Sequence, residues 1–181
     1  VQLVAAAGLA GDRLVLAPTG PLSRDHDDVR RHAEAAARGI TRARDAGAKR
    51  VLLVVQAPPA DVRYEHAATI ASLGALSALW QPLEAREALG ERTVEPVQQL
   101  TVAALGGSMS KASLRWIEAA DAGLRLARDL CGTEPERMAP PKFAGYVQKA
   151  MRNSGVKVTV EKRIDTLQRE YPLLMAVARA S

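Results

Sequence analysis

Short apolar runs alternate with a longer stretch of helical periodicity at the start of the chain. Residues 12–17 (DRLVLA) predict a strand, because the run ends at the turn-forming tetrapeptide 18–21 (PTGP). Residues 50–56 (RVLLVVQ) are almost continuously apolar, which predicts a strand buried on both faces, as in a parallel sheet. Residues 25–46, between these runs, place small apolar side chains at helical spacing. The order strand, helix, strand predicts a βαβ unit with a right-handed crossover.

The predicted helix at 25–46 carries signals at both ends. Ser23 or Asp25 is placed to cap the first turn, because short polar side chains accept hydrogen bonds from free backbone N–H groups. Gly47 is placed to end the helix in a left-handed conformation.

A second helix is predicted from about Asp61, with alanines and Gly74 along a face of small residues. Residues 80–93 predict a charged connection with room for one helical turn. Residues 97–105 (VQQLTVAAL) predict a further strand of the same domain.

A longer helix is predicted over residues 111–131, with Ser110 as its N-cap and Gly132 as its C-cap. Its predicted core stripe consists of Leu114, Ile117, Ala120, Leu124, Ala127 and Leu130. The prolines at 135, 140 and 141 prevent this helix from continuing.

The last part of the chain predicts short elements. Residues 141–153 predict a helix that ends before Gly155, and the alternating segment 156–160 (VKVTV) predicts a half-buried strand. Residues 163–169 predict a short helix. Residues 172–178 (PLLMAVA) predict a buried element that could be strand or helix, since periodicity does not decide at that length.

Composition limits what can build the core and what can bind the surface. Aromatic residues make up only 3% of a chain that is 48% hydrophobic, so alanine, leucine and valine must form the core. The net charge is +5, but acidic and basic residues alternate along the predicted long helix: Arg115, Glu118, Asp121, Arg125, Arg128 and Asp129. Such alternation is typical of a solvated helix face. Since aromatic and basic residues do not alternate as in a single-strand binder, we expect no nucleic-acid partner.

Cys131 is the single cysteine, so no disulfide can form within the chain. This fits a reducing compartment, and we expect a cytoplasmic location. No apolar run approaches the roughly 20 residues that span a bilayer, and the first residues lack a signal pattern. We therefore expect no membrane partner.

The acidic segment 25–28 (DHDD) and His32 form the best local arrangement for a metal. Asp28 and His32 stand four residues apart, close enough on a helix to share an ion. Carboxylates at a helix N-terminus, however, also cap N–H groups and complement the helix dipole. We favour the capping role.

Three further polar features have structural explanations. Glu65 and His66 point in different helical directions, so they do not predict a ligand pair. The segment 106–110 (GGSMS) could hold an anion at a helix N-terminus, but a boundary loop with a serine cap explains it equally well. Cys131 has no basic neighbour but Arg128, and the C-terminus of a helix disfavours a thiolate.

The two tryptophans, Trp80 and Trp116, are expected to anchor a core or an interface, because large aromatic side chains bury much apolar area.

Four longer segments share their order and local motifs with one enzyme family. The strand, helix and strand of 12–55, the small-residue helix containing ATIASLGAL (68–76), the junction AADAGLRLARDLCGTEPERMAPPKFAGYVQKA (119–150) and the stretch 154–181 carry the likeness. Together they resemble the leucyl aminopeptidase family, the cytosolic M17 metallopeptidases. The junction is the most specific of the four, since many α/β proteins share a βαβ unit.

The resemblance implies an α/β fold in three parts. Residues 1–107 would form an N-terminal domain similar to macro domains, and residues 108–132 a linker helix. Residues 133–181 would begin a second α/β domain, the catalytic one, which is incomplete here.

The resemblance also implies a function for the whole protein. Family members are metalloexopeptidases that remove N-terminal residues from peptides with two divalent metals, zinc or manganese, and they assemble as homohexamers. The family's metal-binding motifs are missing here: nothing resembles Asp-Thr-Gly-Gly or Asn-Thr-Asp-Ala-Glu-Gly-Arg. We therefore predict no catalytic, metal or cofactor residue in this chain, which would supply scaffolding and oligomer contacts.

Departures from the family pattern keep other functions open. The family's Asn-Thr-Pro-Pro-Asn becomes GTEPER at 132–137, and its closing Gly-Xaa-Gly-Ser becomes ARAS at 178–181. One alternative is a catalytically inactive, aminopeptidase-like subunit of a larger assembly. Another is a macro-like domain that binds a nucleotide-derived ligand. Whether the protein is an active enzyme or an inactive subunit, we expect the apolar face of residues 111–181 to be covered by further chain or by another subunit.

Overall fold

The computed structural model describes residues 1–58, 61–90, 96–106 and 109–178. The fold is mixed α/β, as the sequence predicts. The chain divides into two compact units, Val1–Thr133 and Glu134–Ser181. The predicted long helix belongs to the first unit, while the domain boundaries at 107 and 132 stay predictions.

Among the described residues of the first unit, four strands form two separate pairs. Strand β1 (Gln2–Ala5) pairs antiparallel with β2 (Arg13–Leu16), and β3 (Arg50–Gln56) pairs parallel with β4 (Gln99–Leu105). Three of these strands are predicted from the sequence. Strand β1 is not, because a four-residue segment has too little periodicity of its own and depends on its partner.

Strand β3 is buried on one face only, which corrects the expectation of burial on both. Val55 is 6% exposed, whereas Leu52 is 61% and Val54 is 50% exposed on the opposite face. In the described part of the chain, helices cover only the face of Val55. An almost continuous apolar run therefore does not prove two-sided burial.

Two helices in contact with each other cover that face: α1 (Arg30–Asp45) and α2 (Ala67–Leu79). The core between them and the strands consists mainly of small aliphatic side chains: Ala36, Ile40, Val55, Tyr64, Ala67, Ala71, Ala75, Leu79 and Val97. Small alanine side chains allow the helix backbones to approach closely. The core is therefore filled by close helix packing rather than by large aromatic side chains. Helix α2 begins at Ala67 rather than near Asp61, because residues Val62–Tyr64 form a separate 3₁₀ turn.

Helix α1 begins later than predicted but ends as predicted. Neither Ser23 nor Asp25 caps it, since its first helical residue is Arg30 and the N-cap position is taken by Val29, whose side chain makes no capping hydrogen bond. Gly47 has a φ of 80°, and its N–H donates to Arg44 O at 2.8 Å. The N–H of the next residue donates to Ala43 O at 3.0 Å, which completes a Schellman motif.

Helix α3 (Leu83–Leu89) takes two turns where the sequence predicts one. Helix α4 (Lys111–Gly132) begins as predicted, because the Ser110 side chain accepts the Ser113 N–H at 3.0 Å. Gly132 is not its C-cap: it is the last helical residue, and Thr133 follows with extended backbone.

The predicted core stripe of α4 is only half covered: three of its six members, Ala120 among them, are buried or half-buried, and three are exposed. Ile117 is buried and Leu130 is half-buried, but Leu114 and Leu124 are 42% and 44% exposed, and Ala127 is exposed too. The second fully buried residue of the helix is a charged one, Asp129. Periodicity identifies an apolar stripe, but the partner decides how much of it is covered.

Over residues 134–178, the second unit contains three helices: α5 (Pro140–Ala150), α6 (Ile164–Glu170) and α7 (Pro172–Ala178). Residues 156–160 do not form the predicted strand, since no strand is available to pair with them within 134–178. Residues 172–178 are helical but not buried, because Leu173 is 83% and Val177 is 72% exposed. No residue of 134–178 is fully buried, so this unit has no closed core of its own.

Candidate functional site

A crevice of about 480 Å³ lies beyond the carboxyl ends of β3 and β4. Ligands of open α/β sheets often bind at this edge, which makes the crevice a candidate binding site. Its wall is mostly apolar, and its lining consists of Val55, Ala57, Pro58, Asp61, Val62, Tyr64, Glu65, Ala67, Ala68, Ala104, Leu105 and Gly106. The described lining therefore offers two carboxylates and no lysine or arginine.

Tyr64 fixes the floor of the crevice. Its side chain is 1% exposed, and its hydroxyl donates to Leu22 O at 3.0 Å. Because this hydrogen bond ties the 3₁₀ turn to the loop before α1, the phenol is a structural group rather than a free acid or base. The Arg63 guanidinium lies 5.4 Å from the ring centre, within range of a cation–π contact.

The carboxylate of Asp61 caps the 3₁₀ turn of Val62–Tyr64. This carboxylate accepts the Arg63 N–H at 3.0 Å and forms an ion pair with the Arg63 guanidinium at 2.8 Å. The side-chain hydrogen bond from Arg63 holds the pKa of Asp61 below its ordinary value. Asp61 is therefore a permanently charged cap and is unsuited to proton transfer near neutral pH.

His32 is a buried core histidine, not a partner of Asp28. The imidazole is 3% exposed, and its Nε2 lies 3.2 Å from Gln56 O at the end of β3. Since a carbonyl can only accept, Nε2 is the donor in this contact. The Nδ1 atom is buried and has no hydrogen-bond partner within the described residues.

The acidic segment 25–28 holds a turn together instead of a metal. Asp27 is 2% exposed and accepts hydrogen bonds from the Arg24 N–H at 3.0 Å, from the Arg24 guanidinium at 2.8 and 3.0 Å, and from Arg31 at 3.2 Å. The hydrogen bonds from Arg24 outweigh burial and hold the pKa of Asp27 far below its ordinary value. The helix-capping interpretation does not hold for Asp27, because the backbone N–H that it accepts belongs to Arg24, which lies before α1.

Asp28 makes a similar local contact with Arg30. Its carboxylate accepts the Arg30 N–H at 2.8 Å and pairs with the Arg30 guanidinium at 2.6 Å. The side-chain hydrogen bond from Arg30 lowers the pKa of Asp28. Because both carboxylates are saturated by arginines, neither is available to a cation.

The expected pair of divalent metals does not fit the donors of this chain. Across 1–58, 61–90, 96–106 and 109–178, no three histidine, cysteine, aspartate or glutamate side chains come together in a way that could hold an ion. A two-metal peptidase site needs several carboxylates converging on each ion. Any such site would have to be built from other residues.

The remaining sequence candidates are dispersed. His66 is exposed at the start of α2, Glu65 lies at the rim of the crevice, and Cys131 is exposed on α4. Of the segment 106–110, Gly107 and Ser108 lie outside the described residues, while Ser110 is the cap of α4. Trp116 is 57% exposed, so it does not belong to the core.

Trp80 anchors a polar cluster that the sequence does not predict. Its Nε1–H donates to Asp129 Oδ1 at 3.2 Å, and Arg86 donates to Asp129 Oδ2 at 2.5 Å. Arg128 lies over the indole ring, 5.5 Å from its centre, and donates to Ser77 O at 3.1 Å. The cluster joins the end of α2, helix α3 and the end of α4.

Asp129 is therefore the main correction to the interpretation of α4 as a solvated helix. It is 6% exposed, whereas alternation of charges predicts exposure. A hint was present in the sequence, because a tryptophan needs a partner for its N–H wherever it is buried. Sequence spacing, however, does not bring residues 80 and 129 together.

Comparison with known proteins reveals one curated relative. The chain is 41% identical over 170 residues to the Caenorhabditis elegans protein named "Putative aminopeptidase W07G4.4". The match covers 93% of this chain but only 31% of the relative, so the chain spans about a third of that protein's length.

Two other comparisons give no match. No protein-family profile matches the chain, and no solved structure does. Among the described residues, no helix is both long enough and apolar enough to cross a membrane.

Proposed function

We propose that this chain is the N-terminal scaffolding part of an aminopeptidase-like protein and that peptide hydrolysis takes place elsewhere in that protein. The observation that carries the proposal is the alignment: 93% of the chain matches 31% of a relative named as an aminopeptidase. More than two thirds of the relative therefore lies outside the matched part.

The absence of a converging donor set supports the same assignment. The described residues hold no group of three metal-ligating side chains, and their carboxylates at 27, 28 and 61 are bound to arginines. The substrate would be a peptide with a free N-terminus. The zinc or manganese ions expected from the leucyl aminopeptidase resemblance would bind outside this chain.

Surface features support a role in assembly. Leu52 and Val54 expose an apolar strip on β3, and Leu173, Leu174 and Val177 expose another on α7. Apolar patches of this kind mark surfaces that contact other protein. Assembly into a homohexamer and a cytoplasmic location follow from the same resemblance.

The test is turnover of leucyl-p-nitroanilide with manganese or zinc by the 181-residue chain and by the longer protein that contains it. We expect metal-dependent turnover by the longer protein and none by the chain alone. Equilibrium dialysis should show that the chain alone retains neither metal. Metal-dependent turnover by the chain alone would overturn the proposal.

A catalytically inactive structural subunit is the second candidate. It is favoured by the altered segment 132–137, where GTEPER replaces the family's Asn-Thr-Pro-Pro-Asn. The mass of the native polypeptide separates the two functions. A mature protein of 19.3 kDa supports the inactive subunit, and a much larger one supports the enzyme.

A further inference from the structure

One end of the first unit carries a concentration of positive charge. Five basic side chains come from the start of β2, the end of α1 and the start of β3: Arg13, Arg42, Arg44, Lys49 and Arg50. We call this surface the basic edge. It lies at the amino ends of the parallel strands, opposite the crevice.

Backbone contacts bring these segments together. The Arg13 guanidinium donates to Ala46 O at 2.7 Å, which ties the start of β2 to the end of α1. Lys49 O accepts from Gln98 N at 2.8 Å and from Gln99 N at 3.2 Å, which adds the start of β4. These contacts bring the segments that carry the cations to one end of the first unit.

Most of this charge is uncompensated. Arg44 pairs with Asp45 at 2.9 Å, but Arg42, Lys49 and Arg50 are exposed and make no ion pair within the described residues. Arg13 is exposed as well and meets only a neutral carbonyl. Within the described residues, two carboxylates, those of Asp12 and Asp45, thus lie in the segments that carry the five cations.

The opposite end of α1 has a different arrangement. There Arg24 and Arg31 both pair with the buried Asp27, and Arg30 pairs with Asp28. At that end of α1, acidic side chains pair with the basic ones, as expected of a solvated helix face. At the basic edge, most basic side chains have no such pairing among the described residues.

The dipole of α1 explains only part of the basic edge. Cations at a helix C-terminus are favoured by the free carbonyls there, which accounts for Arg42 and Arg44. It does not account for Arg13, Lys49 and Arg50, which lie outside the helix. The turn itself is open, because a β-carbon built at Gly47 would meet nothing within 4 Å.

We propose that the basic edge binds an acidic segment of a partner protein. Arginine forks match carboxylates well, and the surface offers room for a peptide with several of them. This inference stands on charge complementarity and is independent of the aminopeptidase assignment.

A nucleic acid fits the basic edge less well. Duplex binding typically engages about 6–10 phosphates, more than this surface has cations to offer. No aromatic side chain is part of the surface to stack on a base.

The experiment measures binding of a fluorescein-labelled oligoglutamate peptide by anisotropy at low salt and at about 0.3 M salt. The test variant combines Arg42→Gln, Lys49→Gln and Arg50→Gln. The matched control combines Lys142→Gln, Lys149→Gln and Lys157→Gln, which removes the same charge from exposed positions of the second unit. Circular dichroism checks that both variants fold.

We expect about tenfold weaker binding by the basic-edge variant, less than twofold weakening by the control, and loss of binding at high salt. Equal weakening in both variants would reduce the effect to net charge and overturn the proposal. So would the absence of binding at low salt. Tighter binding of duplex DNA than of oligoglutamate, lost in the same variant, would replace the acidic protein with a nucleic acid.

Discussion

Gly74 in α2 lies directly against the backbone of Ala33 in α1. A β-carbon built at Gly74 would be 2.5 Å from the Ala33 carbonyl oxygen and 2.6 Å from its Cα. Such distances are shorter than any van der Waals contact. Because backbone atoms cannot turn aside as a flexible side chain does, the crossing of the two helices requires a residue without a β-carbon.

The first prediction follows from this contact. In a helix interior, Gly→Ala normally stabilises by up to about 1 kcal/mol. Gly74→Ala should instead lower the free energy of unfolding by about 1–3 kcal/mol, because it pushes α1 and α2 apart. Urea titration followed by circular dichroism measures the difference.

Gly123→Ala is the matched control for that variant. Gly123 is exposed in the middle of α4, and a β-carbon there would meet nothing within 4 Å. We expect it to stabilise the protein by about 0.5–1 kcal/mol. Stabilisation by both substitutions would show that the close crossing does not exist.

The second prediction concerns Asp129, which accepts hydrogen bonds from Trp80 and Arg86 while 6% exposed. Asp129→Asn removes the charge that compensates a largely buried guanidinium. Breaking one side of such a pair typically costs about 3–5 kcal/mol, and we expect a loss near that range. The emission of Trp80 in a Trp116→Phe background should shift to longer wavelength as water reaches the indole.

An exposed ion pair provides the control for Asp129. The side chains of Arg169 and Glu170 are 74% and 53% exposed, so Glu170→Gln should change stability by less than about 0.5 kcal/mol. A similar small change for Asp129→Asn would mean that α3 and α4 are not joined as described.

The third prediction is a dependence of stability on pH. Hydrogen bonds from Arg24 hold the pKa of Asp27 far below its ordinary value in the folded protein. A carboxyl group with a lowered folded pKa adds stability that is complete above its unfolded pKa, about 3.9, and is lost as the pH falls below it. The difference in stability between wild type and Asp27→Asn should therefore be large at pH 6 and shrink steadily below about pH 4.

Glu65→Gln is the comparison for Asp27, because Glu65 is exposed at the rim of the crevice. Its difference from wild type should stay small at every pH. A constant difference for Asp27→Asn down to about pH 2 would contradict the proposed ion pair.

The fourth prediction tests the one-sided burial of β3. Val55 is 6% exposed and Val54 is 50% exposed, although the two residues are neighbours of the same type. Val55→Thr places a hydroxyl in the core and should cost about 1–3 kcal/mol. Val54→Thr should change stability by less than about 0.5 kcal/mol.

If the exposed face of β3 contacts other protein, Val54→Thr should also weaken self-association, which analytical ultracentrifugation can measure. Equal losses of stability at 54 and 55 would instead show that both faces of the strand are buried, as the sequence suggested.

Local signals predicted the elements whose ends are set by local chemistry. Ser110 caps α4 and Gly47 ends α1, because a hydroxyl acceptor and a left-handed glycine act within one turn. The same kind of signal failed at Asp25. There, Asp27 is drawn into a turn by Arg24 and Arg31, and α1 starts five residues later than predicted.

The candidate metal pair failed for a different reason. Asp28 and His32 have the right spacing, but spacing alone does not fix which way a side chain points. The carboxylate of Asp28 accepts a hydrogen bond from Arg30, two residues further on. The imidazole of His32 contacts the carbonyl of Gln56 in β3. Periodicity cannot reveal either partner.

The sequence by itself determined the α/β class, most of the helices, three of the four strands among the described residues, and a likeness to aminopeptidases that its relative supports. It did so because propensity, caps and apolar spacing act over a few residues. Only the tertiary structure decided which faces are covered. The exposure of Leu52, the contact of Gly74 with Ala33 and the burial of Asp129 all depend on residues distant in the chain, whose meeting is set by packing rather than by local pattern.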